Sequence, residues 1–587
     1  MNTTYADIQN KLAQFLLRQK QADRTGGPSV NRETYLDLIE GIVGYFRQYQ
    51  DERGCILDPV FGEEKQYSTP SYAAAAACLV RFRGREDLLR SACDALTFSL
   101  ESMVAARCNN HGNFYTVMVV HAYLWLEPLV AADRRDEWKR LFASVDISKT
   151  YRQAYHNWSI VAQAGEAMRL KYGLGGDLEE IDRNLELQIP LITELGMYVD
   201  PNGPIAYDQF SRLFFRMMLN HGYSGRFQGV LSEYSRRGAV TSLFLQSPTG
   251  EILLGGRSAQ HQWNEAEQCY IFESYANFFA GEGDMALAGA FKRAAKLSLA
   301  SITRWVRPSG ELNIVRNRYE PAERVGYEGY SFHSQYNLLA AFMLAAAYTL
   351  ADDAIADLPC PAELGGFAIH LGPHFRKVVL NAGGYYVVVQ TKGEPNYNPT
   401  GIIRIQKLGC AQPIGPADMV PLKGKTEGAI SYAVQTEYRG KIQRLADLTK
   451  AELDEVYVKI EEESAQRCAV SLTYIGGLSV NRFQRTIVAD ERGVTVHDEL
   501  PQRFVEEIPV FLFDGQEQSS IEVASRKATV QLRDELLTVT ILSDTDEGLT
   551  LTDRSGLSRN GKIGCLQYET KGTRTSYRVE LTRKERD

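Results

Sequence analysis

Up to about residue 355, apolar side chains return every three or four positions, the period of amphipathic helices that bury one stripe. The clearest stretches are 35–49, 88–105, 115–129, 159–172, 210–219, 265–279, 285–305 and 336–350. Glycine and proline punctuate the gaps at 173–176, 201–204 and 308–310, so the connections are short. Many helices joined this way predict a layered helical ring or solenoid in place of a simple bundle, although no strict sequence period repeats. After Asp352 and Asp353 the pattern changes. From Gly366 onward, short β-branched and aromatic runs take over at 385–390, 402–406, 456–460, 469–475, 493–496, 528–532 and 537–542. No helical crossover alternates with them, as parallel pairing would require, so they predict an antiparallel β-sandwich. The change falls within 358–365. It divides an α+β multidomain chain into a helical domain at 1–357 and a β domain at 358–587.

A chain of 587 residues exceeds what one hydrophobic core usually organises. Its 44% hydrophobic and 24% charged content is that of an ordinary globular protein. The formal charge of -8 argues against a nucleic-acid partner, which needs a concentrated basic surface. An anionic small ligand stays open, because arginines cluster between Arg212 and Arg257. No stretch is long and apolar enough to span a bilayer, so no membrane partner is expected. The first residues lack the basic and apolar segments of a secretory signal. That predicts a cytoplasmic protein if the N-terminus is native, and a periplasmic or secreted one if a signal was removed. Nine scattered cysteines without a CxxC pair predict buried, reduced thiols. Oligomeric state leaves no mark in the sequence.

Six of the nine histidines lie in the helical half, most of them at segment ends beside other polar residues. The segment Cys108-Asn109-Asn110-His111-Gly112-Asn113-Phe114-Tyr115 puts amide, imidazole and phenol groups at the mouth of a very apolar helix. Helix capping by Asn109 or Asn110 would explain it without chemistry. A second constellation runs from Tyr207 through Arg212 and Arg216 to His221 and Tyr223. Arg212 and Arg216, four apart, share one helical face and could hold an anion, or simply lie along an exposed helix. Three more segments are candidates to line the same cavity: His156-Asn157-Trp158, whose indole could stack on a sugar; Arg257 with His261 and Gln262; and Tyr330 with His333.

The 109–115 segment resembles the Asn-Asn-His-Gly-x-x-Tyr signature of alginate lyases and related toroidal uronate lyases. Arg216, seven residues before Tyr223, resembles the helical Arg and catalytic Tyr of the same group. Phe114 stands where the alginate lyase pattern commonly has Trp, and the Arg–Tyr segment lacks the preceding Glu-Leu pair, which points away from alginate itself. The whole chain is similar to helical-toroid polysaccharide lyases of the alginate lyase and heparinase II/III-like group. An enzyme like the rhamnose-glucuronate lyases is a narrower version of that likeness. The resemblance implies an N-terminal (α/α) toroid, an acidic glycan substrate and β-elimination giving an unsaturated uronate.

In this reading Asn110, Arg216 and His111 quench the uronate carboxylate, while Tyr223, with His111 or His221, moves the protons. Tyr115, His156, Asn157, Trp158, Tyr207, Arg212, Arg257, His261, Gln262, Tyr330 and His333 would bind substrate. A free phenol titrates near about 10, so Tyr223 would need a neighbouring cation. Two rivals remain. A glycoside hydrolase would need a carboxylate pair, for which Asp208, Glu265 and Glu328 are available. A non-catalytic sugar-binding protein would use the aromatics alone. His370 and His374 fall short of the roughly four ligands of a closed zinc site. No cofactor or catalytic metal is expected, and only a structural metal in the β domain stays open.

Overall fold

A computed structural model describes residues 2–23, 26–151, 156–394, 396–411, 429–545 and 548–584. Six of its helices, Ser68–Arg83, Gly112–Leu126, Asn157–Lys171, Ile205–Asn220, Gln262–Gly281 and His333–Tyr348, pack each on the next, and the last returns to the first. They form the closed inner ring of an (α/α) toroid. Amphipathic helices such as Arg32–Arg47, Leu89–Val104, Gln228–Leu245 and Met285–Thr303 alternate with them and lie outside.

Position in the ring explains why the helix at 68–83 is hidden in the sequence, while two other buried inner helices show within 115–129 and 336–350. Ser68–Arg83 is buried at every residue from Ser68 to Val80, so its alanine run carries no polar stripe. Gly112–Leu126 and His333–Tyr348 are likewise buried nearly all round. Among the described residues, no helix is long and apolar enough to cross a membrane. All nine cysteines are buried and free.

Among the described residues the β region contains three antiparallel sheets. A four-stranded sheet, Phe367–Leu371, Lys377–Ala382, Tyr385–Gln390 and Gly401–Lys407, runs in chain order. It lies between the helices and the remaining strands. Alternate side chains point to opposite faces of a strand. Phe367, Ile369, Val379, Tyr386, Val388 and Ile403 therefore join the helical core, while Ala368, Val378, Leu380, Val387, Val389 and Ile402 join the β core. Burial on both faces is why 385–390 reads as an unbroken apolar run. An eight-stranded and a five-stranded sheet complete the β region.

One hairpin of that region reaches back into the toroid. Between Thr550–Ser558 and Gly561–Glu569, Arg559 and Asn560 enter the helical half. The Asn560 amide donates to the Arg316 carbonyl at 3.0 Å, and Asn317 donates to the Arg559 carbonyl at 2.8 Å.

Candidate active site

The N-terminal ends of the six inner helices face one cavity of about 200 Å³. It is lined by Gln66, Tyr67, His111, Phe114, Trp158, Tyr207, Phe210, Arg257, Trp263, Tyr330, Tyr336 and Leu339. These side chains precede or open successive inner helices, so the positive ends of six helix dipoles converge there.

Backbone geometry puts His111 at the mouth. Asn109 and Asn110 both adopt left-handed conformations, at φ 47° and 59°, which asparagine tolerates better than most residues. Gly112 lies so close to Thr150 that a Cβ there would come within 2.2 Å of its side chain. The Asn-Asn-His-Gly run is thus a turn that presents the imidazole. His111 Nδ1 lies 2.6 Å from the Asn109 carbonyl, an acceptor only, so this nitrogen carries the proton and donates. Nε2 then holds the lone pair. Burial lowers the His111 pKa and so favours the neutral ring, against the opposing pull of the Asn109 carbonyl. Asn113 anchors the next wall, its amide donating to the Trp158 carbonyl at 3.1 Å.

Across the cavity, Asp200 is a buried hub. It accepts from the Asn157 amide at 2.9 Å and pairs closely with Arg257. Arg257 lies over the Tyr207 ring, 4.3 Å from its centroid. Burial opposes the Arg257 charge, but Tyr207 and Asp200 outweigh it and raise its pKa. The Tyr207 and Tyr330 hydroxyls flank the Ser258 hydroxyl at 3.1 and 3.0 Å. Burial raises the Tyr207 pKa, while Arg257 and Ser258 pull the other way.

The Arg257 turn is held from the β region. The Ser258 N–H donates to Glu328 at 2.6 Å, the Ser331 hydroxyl donates to it at 2.9 Å, and Arg559 donates to it at 2.5 Å. Arg559 is 0% exposed and Glu328 6%. Although burial works against the Glu328 charge, Arg559 and His261 hold its pKa down at about 2.

Of the residues singled out in the sequence, His111, Trp158, Tyr207, Arg257 and Tyr330 meet at this cavity. Asn157 and Tyr115 stand behind the wall: Asn157 holds Asp200, and the Tyr115 hydroxyl lies 3.2 Å from Glu64. His156 opens the same helix as Trp158 at φ 96°, with its N–H donating to Gln188. Asn110 shapes the turn but does not line the cavity.

Arg216, His221 and Tyr223 must be reassigned. His221 caps the far end of Ile205–Asn220, about 21 Å along the axis from Tyr207 at 1.5 Å per residue. There its Nδ1 lies 2.9 Å from the Tyr172 hydroxyl, and its ring is 5.1 Å from that of His121. Tyr223 donates to Asp182, and its pKa is raised by burial and by that carboxylate. The cation that was to activate it is elsewhere, since Arg216 donates to Ser274 at 2.7 Å and lies over Tyr275. Arg212 is closed in a buried fork with Asp208 at 2.9 and 2.7 Å, so the two arginines hold no common anion. His261 packs on Tyr336 behind the wall, Gln262 is buried beside it, and His333 sits 3.8 Å from Glu311.

Sequence reading missed Gln66, Tyr67, Tyr336 and Asp200. The first two precede the alanine-rich helix whose period is silent, and Asp200 lies in a Pro-Asn-Gly turn that looks like solvated loop. Among the described residues, no three His, Cys, Asp or Glu side chains gather where a metal ion could be held.

Whole-chain comparison agrees with this architecture. Heparinase III superposes with a TM-score of 0.55 at 9% identity, covering 97% of this chain and 89% of that one. A mutant of the Streptomyces coelicolor A3 chondroitin AC lyase gives 0.50 at 10% identity, covering 99% and 83%. The chain has the fold of the helical-toroid polysaccharide lyases. No protein-family model matches the sequence, and no curated protein matches it. At such identities the likeness extends to the fold, and the chemistry must be argued from the cavity.

Proposed function

We propose that this protein is a carbohydrate lyase that cleaves a uronate-containing glycan by β-elimination in the cavity at the inner-helix N-termini. The observation that carries the reading is His111. It is a neutral imidazole whose Nδ1 proton is committed to a carbonyl, leaving Nε2 as a base in a cavity shared with Arg257 and the phenols of Tyr67, Tyr207, Tyr330 and Tyr336.

Arg257 and the converging helix dipoles would neutralise the uronate carboxylate and so acidify the proton on C5. His111 Nε2 takes that proton. The electron pair left on C5 delocalises into the carboxylate, then forms the C4–C5 double bond as the bond from C4 to the glycosidic oxygen breaks. The Tyr207 hydroxyl gives its proton to the departing oxygen, and Arg257 over its ring stabilises the phenolate that remains. No water or redox partner is consumed.

The hydrolase alternative lacks support at the cavity, whose lining contains no carboxylate among the described residues. Asp208 is taken by Arg212, Glu265 by Arg316 and Glu328 by Arg559. The volume, below the roughly 300 Å³ at which most ligand pockets begin, suits one sugar with its neighbours outside the mouth. Removal of a terminal sugar from glucuronate, as by rhamnose-glucuronate lyases, is the finer version we favour testing first.

The test is a panel of rhamnosyl-glucuronate, glucuronate, mannuronate, guluronate and iduronate oligosaccharides, followed by ultraviolet absorbance and mass. The expected product is an unsaturated uronate with no oxygen from solvent. A saturated product carrying solvent oxygen would overturn the assignment in favour of hydrolysis.

A further inference from the structure

Two cations and two phenylalanines form a cluster beside the cavity that the reaction above does not use. Phe61 and Phe332 meet edge to face, with centroids 5.3 Å apart. Lys65 Nζ lies 4.3 Å from the Phe61 centroid and 4.6 Å from that of Phe332. The Arg324 guanidinium carbon lies 5.2 and 5.4 Å from the same two rings. Phe61 is 44% exposed, unusual for a large aromatic in a chain that buries most of its others.

The cluster is built into the mouth. Lys65 adjoins Gln66, which lines the cavity and donates to the Tyr330 carbonyl at 3.2 Å. Phe332 is two residues beyond Tyr330, and Arg324 donates to the Glu328 carbonyl at 3.1 Å. The segments carrying the cluster precede neighbouring inner helices and are locked together. Buried Asp58 accepts from the Ser334 N–H and hydroxyl, both at 2.8 Å, and Gln335 donates to Gln66 at 2.7 Å.

Its charge is unbalanced. Lys65 pairs with Glu63, but among the described residues Arg324 hydrogen-bonds only to carbonyls, lies over aromatic rings and has no ion pair. Gathering two like charges on one pair of rings is repulsive, and a third, negative group would relieve it. A half-exposed aromatic ring beside a guanidinium without an ion pair suits a sugar that bears an acid, with its C–H groups against the ring and its anion on the cation.

We propose that Phe61, Phe332, Lys65 and Arg324 form an outer subsite for an anionic group, carboxylate or sulfate, on a neighbouring sugar of the glycan whose uronate occupies the cavity. This rests on the reading of the cavity as a uronate site. The enzyme would then prefer chains with closely spaced acids over those with a single one.

Calorimetric binding of three tetrasaccharides tests it. One carries two glucuronates, one has the outer glucuronate reduced to glucose, and one has a sulfate in its place. Arg324→Gln should weaken the doubly acidic ligands about tenfold, equivalent to about 1.4 kcal/mol, and the reduced one less than twofold. Phe61→Leu, at an exposed position where folding is little at risk, should weaken all three alike. Loss with only one anion would identify which acid the subsite takes. An equal effect of Arg324→Gln on all three, or none on any, overturns the subsite while leaving the uronate cavity standing. A wild-type protein that binds none of the three overturns both.

Discussion

The two ends of the inner ring both gather histidines, and they differ in what surrounds them. At the N-terminal end His111 gives one nitrogen to a carbonyl and turns the other into a cavity shared with Arg257, Tyr207 and Tyr330. At the opposite end His121 donates to the Val117 carbonyl at 2.9 Å and packs against His221, whose own nitrogen is taken by Tyr172. Burial drives His121 down to about 3, with His221 adding to it, and His221 to about 4. The inner-helix N-termini face the first group, whereas the second sits among Trp125, Tyr172 and Phe342 toward the other end of the ring. The same residue type thus lines a cavity beside a cation at one end of the ring and serves packing at the other.

The sharpest way to break this contrast is to delete one histidine from each end. His111→Ala should lower the rate of unsaturated product formation by about 10² to 10⁴, the usual worth of a general base, while His221→Ala should leave it within about twofold. The reverse order would move the active site to the other end of the toroid. The tyrosines give a parallel test. Tyr207→Phe should cost about 10² in kcat with KM little changed. Tyr223→Phe should keep kcat and lose about 1.5 to 3 kcal/mol of stability, the worth of a bond to a charged partner, measured by urea unfolding. Because His111 must be neutral to act and its pKa lies below the ordinary histidine value, activity should fall only as pH drops below about 6.5.

How much of this was legible in the sequence follows the same axis. His111, Trp158, Tyr207, Arg257 and Tyr330 stood out because polar or aromatic groups at a helix start are costly without a partner, and alternate helix starts are what a toroid brings together. Arg216, His221 and Tyr223 looked equally suggestive, but spacing along one helix does not say which end meets the other motif. The Asn109–Asn110 pair misled differently: a requirement for left-handed backbone and a requirement for an amide ligand both select asparagine. The helical and β halves were plain from the switch in period. Insertion of Arg559 was not, because a contact across 231 residues leaves no local pattern.

Arg559 gives a prediction of intermediate size. Arg559 of the β hairpin straps the Arg257–Tyr330 wall through Glu328, whereas among the described residues no hydrogen bond from the β region reaches the His111 turn. Arg559→Met would leave Glu328 buried without its main cation, at a cost of about 3 to 5 kcal/mol. If the strap positions the Ser258 turn, KM should rise more than kcat falls, since the carboxylate clamp is disturbed and the base is not. Arg559→Lys should recover part of the KM. Loss of kcat alone, with KM intact, would show that the β hairpin does not hold the binding wall.

The smallest effect is expected at the far end, and it separates stability from catalysis. His121 and His221 have folded pKa values near 3 and 4, below the 6.5 of an unfolded histidine, so between those limits the unfolded chain binds more protons. Their contribution is complete above pH 6.5 and is lost as pH falls toward 4. The melting temperature should therefore decline from pH 7 to pH 4.5 and decline less steeply in His121→Leu, which removes the more deeply buried of the two. The acid limb of kcat/KM should be the same in both proteins, because it belongs to His111. If His121→Leu shifts that limb and leaves the melting profile alone, the two ends of the ring have exchanged roles, and the contrast between a working and a packing histidine fails.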